Sequence, residues 1–353
     1  MSRRPIDVAV VGATGAVGRE MLRVLEQRGS PVQRLVLLAS SRSAGRTLRF
    51  RGRDLTVRPT TRDSFRGVDV ALFSAGVAVS RQFAACAVES GAVVVDNSSA
   101  FRLQPGVPLV VPECNTEALA GHRGIVANPN CSTIILALAL APLQRIAGLK
   151  QVIVSTYQAA SGAGRRAMEE LRSATRAHLS GAGFEPSAMP HDLAFNVFPQ
   201  VDVFQPDGYT REEDKMVDEM RKILALPALP LEATCVRVPV ERCHGMAVTV
   251  ALQRPLSPAR ARFALEHSPG IVVCDDPEAA EYPTPRAMAG LDPVAVGRIR
   301  PSRVFDPGLT LWVVGDQLRK GAALNAVQIV ENLSNLRTRS GARVEDSVRP
   351  GAE

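Results

Sequence analysis

At 353 residues the chain is too long for one small core and implies two domains, and 46% hydrophobic with 22% charged residues is the composition of a soluble globular protein. No apolar run is long enough for a membrane span, and no apolar signal segment precedes the first strand, so a cytoplasmic protein without a membrane partner is expected. The net charge of +7 comes from scattered arginines, which argues against a nucleic-acid partner and suits a small anionic substrate with a phosphorylated cofactor.

The apolar run at residues 6–11 predicts a buried parallel strand. It leads into Gly12, Gly15 and Gly18, followed by helical periodicity through Met21, Leu22, Val24 and Leu25. A glycine turn between strand and helix lets the backbone approach a pyrophosphate at the helix N-terminus, so a dinucleotide site is expected. The second strand, 35–39, ends in Ser40-Ser41-Arg42-Ser43, where NAD enzymes usually carry an acidic residue. Hydroxyls and a guanidinium suit a 2′-phosphate and favour NADP; the same loop also reads as a solvated basic surface. Strands at 55–57, 68–74, 92–96, 109–111 and 124–127, with a helix over 80–90, complete one α/β nucleotide fold in residues 1–130.

Asn128-Pro129-Asn130-Cys131-Ser132-Thr133 then delivers a cysteine to the entrance of an apolar helix that ends near residue 147. Asn130 is the expected N-cap, and the unpaired amides of the first turn favour a thiolate at Cys131. Taken alone, this cysteine reads equally as a buried thiol beside a capped helix. The six cysteines have irregular spacing and read as reduced thiols, and no His/Cys/Asp cluster has metal-ligand spacing. A strand at 151–158 stops at Gln158, before the turn holding Ser161 and Gly162. A helix over 165–179 and a loop-rich stretch, 181–208, follow. A charged helix over 211–226 opens with the capping-box pattern of Thr210 and Glu213. Strands at 234–239 and 245–252, a helix over 258–267 and short strands to 314 predict an antiparallel sheet with helices, an α+β domain over 131–323. A helix over 324–336 is expected to complete the first domain, and the charged tail 337–353 to be disordered.

In combination, these stretches resemble aspartate-semialdehyde dehydrogenase across nearly the whole chain. The motifs are VAVVGATGAVG (8–18), SSRSAG (40–45), DNSSAFR (96–102), NPNCS (128–132), REEDK (211–215), RVPVERCH (237–244), VGRIR (296–300) and RKGAALN (319–325). The resemblance implies a Rossmann-like dinucleotide-binding domain plus an α+β catalytic and dimerisation domain. The activity it implies is NADPH-dependent reductive dephosphorylation of L-aspartyl-4-phosphate to aspartate semialdehyde and phosphate, on the route to lysine, threonine, methionine and diaminopimelate. By the same likeness Cys131 carries the aspartyl thioester, His244 is the acid/base and Gln158 holds the acyl intermediate. Arg237 matches the arginine on the substrate α-carboxylate, Glu212 the residue near its amino group, and Arg102 with Lys215 the phosphate binders; Asn130 joins this substrate group. Thr14, Gly15, Ala16, Val17, Ser40, Arg42, Ser43, Ser161, Gly162 and Asn325 fall where the family grips NADP. The family assembles as a homodimer or a pair of dimers.

The chemistry fits these residue types. Sulfur displaces phosphate and leaves readily, and an imidazole with a pKa near neutrality manages protons. An arginine fork binds a carboxylate bidentately. Without the family likeness the bland readings stand: Glu212 and Lys215 as a surface pair, Arg237 as a surface residue, His244 as structural, and Gln158 as a cap. One departure is local. His244 lies between Cys243 and Gly245, where relatives usually have a small residue and a serine. Two rival readings share the motifs: a reductase of N-acetylglutamyl phosphate type, and a catalytically silent dinucleotide-binding relative.

Overall fold

In the computed structural model, which describes residues 5–346 and side chains through residue 335, the chain divides into two units. The first comprises Met1–Pro112, Thr116–Asn128 and Ala323–Glu353; the second comprises Glu113–Asn115 and Pro129–Ala322.

The first unit contains β1 (Ile6–Val11), α1 (Ala16–Gln27), β2 (Val32–Ala39), β3 (Thr47–Phe50), β4 (Arg53–Thr56), β5 (Arg58–Pro59), β6 (Val70–Phe73), α2 (Val77–Glu89) and β7 (Val93–Asp96). After α3 (Pro112–Asn115), whose residues 113–115 belong to the second unit, comes β8 (Ile125–Ala127) of the first. Six strands form a parallel sheet in the order β5-β2-β1-β6-β7-β8. Alternate residues of β1 enter opposite cores: Ile6, Val8 and Val10 on one face, Ala9 and Val11 on the other. Burial on both faces is why that strand reads as an unbroken apolar run.

Two expectations fail here. The strand expected at 55–57 is β4, which pairs antiparallel with β3 in a separate hairpin. Arg51 and Gly52, both at positive φ, make its two-residue turn. Residues 109–111 form only the isolated bridge Leu109↔Ala127. Pro108 has no N–H to give a ladder, and Pro112 opens α3 directly afterwards.

The second unit contains α4 (Cys131–Ala147), β9 (Leu149–Gln158), α5 (Arg165–Leu179), α6 (Arg211–Ile223), β10 (Leu231–Arg237), β11 (His244–Leu252), α7 (Pro258–Glu266), β12 (Ile271–Val273), α8 (Pro285–Met288), β13 (Val294–Pro301) and β14 (Gly308–Gly315). Its sheet runs β10-β9-β11-β14-β13-β12. The sheet is mixed rather than antiparallel, because β9 with β10 and β12 with β13 run parallel. The long crossover carrying α5 and α6 returns the chain in the same direction. One face is apolar and buried, through Val152 and Val154, Met246 and Val248, and Leu311 and Val313. Against it lies α4, buried almost all round, as its uniformly apolar sequence requires. Each fully buried leucine or isoleucine there contributes roughly 2 kcal/mol. Ile153 and Tyr157, on the opposite face of β9, stay exposed.

The chain then re-enters the first unit through a π-helical turn, Arg319–Ala323, and α9 (Leu324–Asp346). Val327, Ile329, Val330 and Leu333 join the core formed by Val8, Val10, Val24 and Leu25. The helix continues past the expected end at 336, so residues 337–346 of the expected disordered tail are helical, and 347–353 lie outside the described residues. Among the described residues, no helix is long and apolar enough to cross a membrane.

Candidate active site

In the second unit the site is built around the start of α4. Asn130 caps that helix: its Oδ1 accepts the Ser132 N–H (2.9 Å) and the Thr133 N–H (3.2 Å). Its Nδ2 donates to both Glu212 oxygens, at 3.0 and 3.1 Å. Cys131 is the first helical residue, and its Sγ lies 3.6 Å from His244 Nε2. Amides at a helix start favour an anionic sulfur.

His244 is fully buried at the start of β11. The Ala159 N–H donates to its Nδ1 at 3.1 Å. An imidazole that accepts at Nδ1 carries its proton on Nε2 when neutral, facing the sulfur. Burial, and then the Arg237 guanidinium, push the His244 pKa down to about 3. In this arrangement the neutral ring presents Nε2 to the Cys131 sulfur.

Gln158 ends β9 on the buried face. Thr156 Oγ1 donates to its Oε1 (3.0 Å), and its Nε2 donates to Glu212 Oε1 (3.1 Å), which fixes which way the amide points. Glu212 is buried and thus receives Asn130, Gln158 and the Lys215 ammonium (3.4 Å). Lys215 also pairs with Asp202 at 2.5 Å. The adjacent Glu213 serves structure instead. It completes the capping box with Thr210 and accepts the Cys235 N–H at 2.8 Å. Arg237, at the end of β10, donates from Nη1 to the Ala159 carbonyl (2.7 Å), while its Nε is buried with no hydrogen-bond partner among the described residues. Burial lowers the Arg237 pKa, and Glu212 and Cys131 act against that shift. A buried guanidinium with an unmet N–H suits an anionic ligand.

The turn after Gln158 closes on the same groups. A Cβ on Gly162 would lie 3.0 Å from Arg237 Nη1 and 3.2 Å from His244 Nε2. Gln317 donates to Ser161 Oγ and accepts the Cys243 N–H (2.8 Å), tying this turn to the approach to His244. Cys243 sits at φ +76°, and burial, then Asp316, raise its thiol pKa. Gly245 is explained by packing: a Cβ there would fall 2.7 Å from the Trp312 ring.

In the first unit, Gly12, Thr14, Gly15, Ser40 and Arg42 line one cavity of about 650 Å³, together with Ser41 and Thr60. The lining contains no Asp or Glu. Gly12 has φ +86°, and a Cβ on it would lie 2.7 Å from the Ser74 carbonyl oxygen. A Cβ on Gly18 would lie 2.2 Å from the Gly12 oxygen, so this turn admits only glycine at both positions. Ala16, Val17, Gly18, Ser43 and Asn325 do not line the cavity. Asn325 is buried, donating to the Val110 carbonyl (2.8 Å) and Asn128 Oδ1 (2.7 Å). Arg102 donates to the Asn128 and Asn97 carbonyls, each at 3.0 Å. Ser161 and Gly162, expected at the cofactor, belong to the second unit beside Arg237 and His244.

Thr156 and Glu219 escaped the sequence reading. Each had a signal: a polar residue two before Gln158 on the buried face of a strand, and an acid on a helix face otherwise occupied by Met216, Met220 and Ile223.

Comparison with known proteins gives a consistent picture. Residues 7–122 match the semialdehyde dehydrogenase NAD binding domain, and residues 140–320 the semialdehyde dehydrogenase dimerisation domain. The aspartate-semialdehyde dehydrogenase of Aquifex aeolicus is 51% identical over 330 residues, covering 92% of this chain and 97% of the relative. The crystal structure of aspartate semialdehyde dehydrogenase II from Vibrio cholerae complexed with ASA superposes with a TM-score of 0.92 at 44% identity, covering 94% of this chain and 99% of that one. The Candida albicans aspartate semialdehyde dehydrogenase with NADP gives a TM-score of 0.74 at 25% identity, covering 94% and 99% of the two chains.

Proposed function

The chain belongs to the aspartate-semialdehyde dehydrogenase family, and from that premise we propose that it reduces L-aspartyl-4-phosphate to aspartate semialdehyde and phosphate through a thioester on Cys131. The reaction belongs to the biosynthesis of lysine, threonine, methionine and diaminopimelate, which agrees with a cytoplasmic location. One observation carries the mechanism: Cys131 Sγ at a capped helix start, 3.6 Å from an imidazole whose Nδ1 is already occupied.

Cys131 thiolate attacks the acyl carbon, the C–S bond forms, and phosphate leaves with the electrons of the C–O bond. NADPH, when bound, supplies the hydride that reduces the thioester. As the tetrahedral species collapses, the C–S bond breaks and the thiolate is regenerated, and the proton of the overall reaction ends on phosphate. No proton has to pass through His244. Its Nε2–H stabilises the thiolate and the oxyanion, a contribution worth about 3 kcal/mol for one such donor. Gln158 steadies the acyl group, Arg237 takes the α-carboxylate, Glu212 faces the amino group, and Lys215 binds phosphate.

For the cofactor, a glycine turn that a Cβ would fill and a cavity rimmed by Ser40, Ser41 and Arg42 without a carboxylate fit a dinucleotide bearing a 2′-phosphate. We therefore assign NADP to Gly12, Thr14, Gly15, Ser40 and Arg42, with Ala16, Val17, Gly18, Ser43 and Asn325 of the same unit in support. The protein oligomerises through its dimerisation domain, and we propose a homodimer that meets over the open sheet face bearing Ile153 and Tyr157, with a pair of dimers as the higher form.

The test is NADPH absorbance with NADP, phosphate and aspartate semialdehyde. Turnover of this aldehyde is the expected result; turnover of N-acetylglutamate semialdehyde alone, or of neither, overturns the assignment.

A further inference from the structure

We propose that Glu219 is a positioning residue for the nucleophile, completing from another helix the cap that α4 cannot complete for itself. This inference rests on the reading of Cys131 given above.

In a capping box the N-cap side chain accepts the N–H of the third helical residue, whose own Glu or Gln reaches back to the N-cap N–H. Asn130 performs the first half, accepting the Thr133 N–H. The residue that should perform the second half is Thr133, whose chain is too short, and its Oγ1 is buried with no hydrogen-bond partner among the described residues. Glu219 supplies the missing acceptor: its Oε2 takes the Asn130 N–H at 2.6 Å. Glu219 is 1% exposed, beside Met216, Met220 and Ile223 on the apolar side of α6, where a carboxyl group is costly to bury without a specific task.

Seven residues earlier on the same helix, Glu212 holds the Asn130 carboxamide. Helix α6 thus grips the backbone and the side chain of one residue, the one preceding Cys131. With both held, the Cys131 Cα and the first-turn amides are fixed relative to His244. Without the Glu219 oxygen, the cap can pivot about its side chain.

The test uses the full chain with NADP bound. Glu219→Gln keeps a carbonyl oxygen at the same reach; Glu219→Asp keeps the carboxylate but withdraws it by about one C–C bond. The Gln variant is expected to keep kcat within about threefold. The Asp variant is expected to lose about 10- to 100-fold in kcat, with KM for the aldehyde within about threefold and a matching fall in the rate of Cys131 alkylation by iodoacetamide. If the Asp variant does not fold by circular dichroism, Glu219→Met, equal in length and lacking the acceptor, takes its place. Equal rates for the Gln variant and either of the others overturn the proposal. Alkylation needs no substrate, so a wrong substrate assignment would leave the Glu219 comparison intact.

Discussion

The Ala159 N–H donates to His244 Nδ1 at 3.1 Å, and that single bond decides how the imidazole can serve Cys131. A ring held this way presents Nε2–H to the sulfur, and with a pKa pushed to about 3 by burial and Arg237 it stays neutral where the enzyme works. Nitrogen-15 NMR should show the Nε2–H tautomer and no titration of His244 between about pH 5.5 and 8.5. A mid-range titration would restore the role of proton acceptor.

The same shift bears on stability. The unfolded chain protonates this histidine near its ordinary value, while the folded chain does not until about pH 3. The unfolded state therefore binds the extra proton between those values, and this group's share of the stability falls as pH drops from about 6.5 towards 3. Thermal melts should show His244→Gln flattening that part of the pH profile.

Cys131→Ala should lower turnover by at least about a thousandfold while NADPH binding, followed by its fluorescence, changes less than about threefold. The glycine turn and the cavity at Arg42 belong to the other unit and do not include the sulfur. Full activity in this variant would exclude the thioester.

Gly162→Ala tests the crowding around Arg237 and His244. The new methyl lies within 3.0 to 3.2 Å of both side chains, so one of them must move by a few tenths of an ångström. A loss of about 10- to 100-fold in kcat with little change in melting temperature is expected from steady-state kinetics and calorimetry.

Arg42→Ala should weaken NADP by about tenfold or more and NAD by less than about threefold, since only the former offers a phosphate to the guanidinium. Isothermal titration with both nucleotides checks this.

Gly245→Ser should destabilise this chain by about 1 to 3 kcal/mol, because its Cβ meets the Trp312 ring at 2.7 Å. Trp312→Leu in the same chain should recover part of that loss in denaturant titrations.

What was legible in the sequence was what neighbours decide. The β1–glycine–α1 unit, the Asn130 cap and the Thr210–Glu213 box depend on residues within one or two turns, and each forms where the pattern puts it. The choice of Glu212 over Glu213 is tertiary, since it follows from which carboxylate faces Asn130 and which faces Cys235. The tautomer of His244 depends on a backbone amide 85 positions away. Parallel pairing of β9 with β10 was hidden for the same reason: alternation marks a strand but not the direction of its partner.

The last helix fixes the order in which the molecule can be finished. Val327, Ile329, Val330 and Leu333 lie in one core with Val8, Val10, Val24 and Leu25, which leave the ribosome some three hundred residues earlier. The nucleotide-binding half is consequently not a detachable module. Cut after Asn128, it would be born with a greasy flank and no cover, so an excised fragment calls for this helix to be supplied, joined on or added back as a separate peptide.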